Sequence, residues 1–240
     1  MTSSLNNTKS DMIASAAKGI FGAIPIVGPL AVEVVGTLIP NQRLDRIQRF
    51  LEALERRVQA MEAYRVKDRF KQPEVIDLLE DAFYSSGRTL SEDRIQYIAD
   101  LVGSFIEDET IEHIQSKKLL SILSELNDAE LLILIHYGHL SIGDHSFADE
   151  HANVVNPTRV HMQSSIKDRE KAQLHDSYKR KLVETGMLKP RFKKPKKGDV
   201  PEFDEKTGMI KATGFEITPL GRLLLAQIGQ MPERKKTNDR

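Results

Sequence analysis

The chain has 240 residues, 40% apolar and 29% charged, and no cysteine. That is enough apolar material for one large core or two small ones, and it excludes disulfides, thiolate metal sites and a cysteine nucleophile. Lys plus Arg and Asp plus Glu balance at 35 each, but fourteen acidic residues face four basic ones between Pro73 and Glu130, and twelve basic residues face four acidic ones between Ile166 and Lys197. Such polarity predicts either attraction between the two parts or an anionic partner for the basic one. The first eleven residues are polar and lack a basic leader, so no secretory signal is expected, and a cysteine-free chain fits a reducing cytosol.

The stretch GIFGAIPIVGPLAVEVVGTLIP, Gly19 to Pro40, holds 22 residues with one charge, Glu33. A single helix of about 20 apolar residues would cross a ~30 Å hydrocarbon core. Pro25 and Pro29 forbid one smooth helix, because each removes a backbone donor. The segment therefore reads as two short helices around a turn, an apolar hairpin over residues 12–40. Either it enters a membrane interface or it forms the core of a helical domain. The first reading assigns Phe21, Ile24, Ile26, Val27, Leu30, Val34 and Val35 to lipid, with Arg43 and Arg46 as headgroup anchors.

Leu44, Ile47, Leu51, Leu54, Val58 and Met61 recur at spacings of three and four, which predicts a heptad helix over residues 41–70. The seam can pack inside the fold or join a second copy or a partner protein. Phe50 widens the apolar face and favours packing. Pro73 opens the next helix, with Ile76, Leu79 and Phe83 inward and Gly87 at its end. Thr89 or Ser91 caps another through Ile95, Ile98, Val102 and Phe105. A third carries Ile114, Leu119, Ile122, Leu123 and Leu126. Asn127 or Asp128 caps AELLILIHYG, apolar all round and so expected to be buried.

From His139 to Pro157 the composition turns to Gly, Asp, Asn and His and predicts a long loop. His136, His139, His145 and His151, with Asp144 and Asp149, carry metal-ligating chemistry but lack zinc-hydrolase spacing, and no metal or other cofactor is expected. Ile166 to Thr185 resumes as a basic helix. Met187 to Phe192 and Ile210 to Ile217 predict a strand pair with a Lys- and Pro-rich tip, and Thr218 caps a last helix with Pro219 in its first turn.

The phrase SYKRKLVETGMLKP…FEITPLGRLLL resembles the recognition helix, wing and closing helix of a winged helix. The resemblance implies nucleic-acid or other anion binding through Lys179, Arg180, Lys181, Arg191, Lys193, Lys194, Lys196 and Lys197. The helical middle and the run Ile217, Thr218, Leu220, Gly221, Arg222, preceded by LSELNDAELLIL, are similar to bacterial abortive-infection alpha-type proteins. That likeness covers the last half of the chain and implies a phage-defence setting, with no catalytic residue to carry over. No GxxxxGK[ST], GxSxG or HExxH motif is present, and no enzyme activity is expected.

The reading is a mostly α protein: a helical domain over 1–126, a winged-helix-like α+β domain over 127–232 with a loop insertion at 139–165, and a polar tail over 233–240. The expected function is a non-enzymatic membrane-engaging or membrane-perturbing effector, cytoplasmic and conditionally associated with the inner membrane, whose partner is an anionic membrane surface. The alternatives are a nucleic-acid-binding regulator and a helical scaffold that associates through the heptad seam.

Overall fold

The computed structural model describes residues 24–28, 43–156, 160–196, 198, 200–204 and 208–232. The chain divides into two compact units, one up to Glu125 together with Gln227–Gly229, the other spanning Leu126–Ala226 and the residues from Gln230. The described residues are mostly helical, with one small antiparallel sheet near the C-terminal end.

The first unit contains α1 (Leu44–Val58), α2 (Ala63–Arg69), α3 (Pro73–Arg88), α4 (Glu92–Glu107) and α5 (His113–Glu125). The heptad positions Leu44, Ile47, Leu51, Leu54 and Val58, together with Phe50, are at most 5% exposed. They pack on α4 and α3, so the seam is filled within the unit. Phe50 meets Phe83 edge-on, with ring centroids 5.7 Å apart at 89°. At Gly103 α4 comes so close to α1 that a Cβ would lie 2.4 Å from Cγ of Arg57.

The heptad pattern predicts one helix over 41–70, but the chain turns after Val58. The Met61 amide bonds the Val58 carbonyl at 2.9 Å, and Glu62 adopts extended backbone before α2 begins. The reason is a change of phase. No apolar residue continues the seam after Met61, whereas Val66 and Phe70 become buried only once the helix is re-aimed. Ile114, expected on the inward face of α5, is instead 79% exposed, because Ser116, Leu119, Leu120, Ile122 and Leu123 face the core.

Three consecutive helices in this unit end on an arginine from another element. Arg46 donates to the Gly87 carbonyl at 3.0 Å, at the end of α3. Arg69 donates to the Phe105 and Ile106 carbonyls at 2.6 and 3.2 Å, at the end of α4, and lies over the Phe105 ring. Arg94 donates to the Leu123 carbonyl at 2.6 Å, at the end of α5. Helix C-termini carry unpaired carbonyls and partial negative charge, and a guanidinium meets both needs.

The second unit contains α6 (Asp128–Leu140), α7 (Ser146–Glu150), α8 (Ala152–Val155), α9 (Ile166–Glu184), β1 (Leu188–Phe192), β2 (Ala212–Ile217) and α10 (Pro219–Gln227). Asn127 and Glu130 close a capping box at the start of α6, whose Leu131, Ile133, Leu134 and Ile135 are buried. Around it pack α8, α9 and β2. Gly138 lets α10 approach, since a Cβ there would lie 2.6 Å from Cδ1 of Leu225.

The segment expected as a loop from His139 is partly helical, and the cause is local. Asp144 accepts from the Ser146 amide and hydroxyl at 3.0 and 2.7 Å and pairs with His139 at 2.9 Å. Phe147 stacks on His139, and its other ring neighbour is His151, so the polar residues build short α7 and α8.

β1 and β2 pair from Leu188↔Ile217 to Phe192↔Ala212, with the register slipping between Arg191 and Phe192. Gly186, at φ 76°, makes the left-handed exit from α9. The Thr218 hydroxyl donates to the Gly186 carbonyl at 2.6 Å and accepts the Gly221 amide at 3.0 Å, so one side chain caps α10 and ties it to the root of the hairpin. Gly221 is there because a Cβ would sit 2.5 Å from the Met187 carbonyl oxygen.

Three outcomes follow from these contacts. Gly221→Ala should destabilise the chain by about 2 kcal/mol, read from urea unfolding, because the carbonyl it would strike is backbone. Arg69→Ala should cost about 3 kcal/mol by leaving two carbonyls without a donor, and Arg69→Lys should recover little, lacking the fork that spans both. Acid should weaken the fold through His175, which is 5% exposed with Nε2 on the Val155 carbonyl at 3.1 Å and Nδ1 buried without a partner. Burial pushes its pKa below the ordinary 6.5, and nearby Lys179 acts in the same direction. The unfolded chain therefore binds the proton more readily. Stability is intact above pH ~6.5 and is lost as pH falls through the lower folded value, and His175→Gln should flatten that loss in thermal melts across the range.

Candidate functional site

Two places in the described structure gather the residues with candidate roles. The first is the turn of the apolar N-terminal segment. Ile24 and Val27 are buried, Ile26 is half-buried, and the chain enters helical geometry at Val27 and Gly28. The amides of Ile26 and Val27 both donate to the Glu55 carboxylate. Ile26 lies 3.2 Å from each oxygen and Val27 2.9 Å from Oε2. Pro25 makes this arrangement intelligible: the turn it enforces leaves backbone donors unpaired, and a carboxylate facing them is the favourable partner. Glu55 sits on the half-buried flank of α1, beside the seam that packs on α4.

Phe21, Leu30, Val34 and Val35 lie outside the described residues. Arg43 is exposed, and its stem packs near Gly87. Arg46, expected at a headgroup surface, instead caps α3 through the Gly87 carbonyl, because that helix end needs a donor more than a solvated arginine needs water. Met61 is half-buried, and the remaining seam residues are enclosed in the unit, so they present no free face to a second copy. Among the described residues no helix is long and apolar enough to cross a membrane.

The second place is the basic part of the C-terminal unit. Arg180 is exposed on α9 and Lys181 is half-buried. Lys179 is different: its ammonium lies 5.9 Å from the centre of the Phe215 ring, and burial pushes its pKa down, so it serves packing. Lys189 pairs with Glu216 at 2.9 Å, which holds the glutamate below its ordinary pKa. The Arg191 guanidinium packs over Gly214, and Lys193 pairs with Glu202 at 3.2 Å. Exposed pairs of this kind are worth about 0–1 kcal/mol and yield readily to a stronger anion. Lys194 and Lys196 are exposed, and Lys197 lies outside the described residues.

Past Phe192 the hairpin opens into a cleft of about 440 Å³. Among the described residues Lys193, Lys194, Lys196 and Lys211 line it, with Glu202 as the acid. Sequence reasoning found the lysines before residue 198 but missed Lys211, which reaches the same place only because the chain returns antiparallel. Glu55 was missed too. A lone glutamate on a charged helix carries no signal until the segment it faces is known.

The histidines do not converge on an ion. His139 is engaged with Asp144, which it helps to hold well below the usual carboxylate range after the Ser146 hydroxyl, and His136 is held towards its neutral form by burial. Among the described residues no group of three or more His, Asp or Glu side chains is arranged to bind a metal. No protein-family model matches the chain, and no curated protein or solved structure is detectably similar to it.

Proposed function

We propose that the chain is a non-enzymatic effector that stores an apolar N-terminal segment against α1 and delivers it to an anionic membrane when the store is opened. The observation that carries this reading is the Glu55 carboxylate holding the Ile26 and Val27 amides beside the buried Ile24 and Val27 side chains. A turn held by charge-assisted bonds is tight at rest, yet can be released by neutralising or displacing a single side chain. The 22-residue segment around it, with Glu33 as its one charge, supplies the apolar surface that release would expose. In the phage-defence setting implied by the resemblance to abortive-infection alpha-type proteins, the trigger is an infection signal and the outcome is arrest of the host cell.

The order of α9, hairpin and α10, with Thr218 and Gly221 at the junction, supports reading the second unit as a winged-helix-like domain that senses or regulates. Exposed Arg180, Lys194 and Lys196 favour a second reading, a nucleic-acid-binding regulator. That reading is weakened by Lys179, which packs on Phe215 and leaves α9 with fewer phosphate contacts than its sequence offers.

Glu55→Ala should raise flotation with phosphatidylglycerol vesicles about ten- to a hundredfold over the unsubstituted chain, the shift expected for losing bonds worth ~1.5–3 kcal/mol. Glu52→Ala, on the same helix, should leave flotation unchanged, and removing residues 12–40 should abolish the gain that Glu55→Ala produces. Equal flotation of Glu55→Ala, the deletion and the parent chain rejects the proposal.

A further inference from the structure

Beyond Phe192 the hairpin carries a surface that neither strand pairing nor the core requires. Phe192, Val200, Phe203, Met209 and Ile210 are each 45–76% exposed, a concentration of large apolar side chains within nineteen residues. Phe203 and Ile210 face each other across an antiparallel bridge, which puts both side chains on one face. The Asp204 amide bonds the Met209 carbonyl, and the Lys211 amide bonds the Glu202 carbonyl, both at 2.8 Å, so this distal ladder is built rather than frayed. Val200 and Ile210 also line the cleft whose other walls include Lys193, Lys194, Lys196 and Lys211.

We propose that the distal hairpin is a docking element for an anionic phospholipid surface: its apolar side chains enter the headgroup–hydrocarbon boundary while the cleft lysines sit at lipid phosphates. The inference rests on the membrane reading above and gives it a point of first contact. Charge complementarity selects the lipid, since among the described residues that line the cleft four lysines stand against one acid. The kind of apolar group separates a bilayer from a nucleic acid. Phe192 and Phe203 could stack on bases, but Val200, Met209 and Ile210 have no aromatic face and would lie against a phosphate backbone with nothing to bury them. A hydrocarbon boundary accepts all five, and lysine stems reach over it with their ammonium groups in the headgroup layer.

The chain contains no tryptophan, so Phe203→Trp places one fluorophore on the hairpin of the full chain and Leu90→Trp places a control on the exposed surface of the first unit. All substituted positions are exposed, which leaves folding intact. Phosphatidylcholine vesicles containing phosphatidylglycerol should shift the Phe203→Trp emission to the blue, pure phosphatidylcholine vesicles should not, and Leu90→Trp should respond to neither. Adding Val200→Asp with Ile210→Asp to Phe203→Trp should remove the shift and lower vesicle partition by about tenfold or more. An unmoved Phe203→Trp emission overturns the docking assignment even if Glu55→Ala floats, and so does a shift that survives the two aspartates. Quenching by duplex DNA without a vesicle response overturns it in favour of nucleic acid. A blue shift at position 203 alongside an inert Glu55→Ala supports docking while rejecting the stored-segment reading.

Discussion

A protein assembled from short helices has many helix ends, and each end leaves backbone groups that must find partners wherever water is excluded. This requirement governs the arrangement more than any single apolar contact. In the first unit, arginines from α1, α2 and α4 meet the carbonyl ends of α3, α4 and α5 respectively. In the second, Asn127 with Glu130, Ser165 and Thr218 meet the amide ends of α6, α9 and α10. Buried charge is ordinarily expensive, but a guanidinium placed on helix carbonyls exchanges its hydration for bonds of comparable strength. The polar side chains thereby set which helix faces which, and the apolar residues fill the space between.

The same requirement links fold to candidate function. Glu55 is one more side chain answering unpaired backbone, but the backbone it answers belongs to a segment rich in apolar residues and broken by proline. Where Arg69 is buried against the Phe105 ring, Glu55 is only half-buried, so water or a cation can reach it. Its position therefore differs from a purely structural cap in being accessible to competition. The basic hairpin also separates into tasks. Lys179 serves packing and Lys189 the strand register, while the lysines past Phe192 surround a cleft.

Helix positions and most caps were legible in the sequence. Pro73, Ser91, Asn127 and Thr218 begin helices as their chemistry dictates, and the strand pair appears where alternation and turn residues put it. The break after Val58 left only a faint trace, the lack of an apolar residue to continue the seam after Met61, which does not by itself say where the helix ends. The helices after Asp144 were hidden for a different reason: their stability comes from one carboxylate and a stack of His139, Phe147 and His151 that composition alone reads as loop. Site residues followed the same division. Clustered lysines announced themselves, whereas Glu55 and Lys211 acquire meaning only from segments distant in the chain.

The slip in pairing between Arg191 and Phe192 divides the hairpin into two separately paired parts. Below it, Thr218 and the tight fit at Gly221 clamp the strands to α10 as a fixed base. Above it, the short ladder through Phe203 and Ile210 holds its own geometry. An interruption of this kind bends the strand that carries it and increases its twist, so the distal ladder is aimed in a direction of its own while α10 fixes the base.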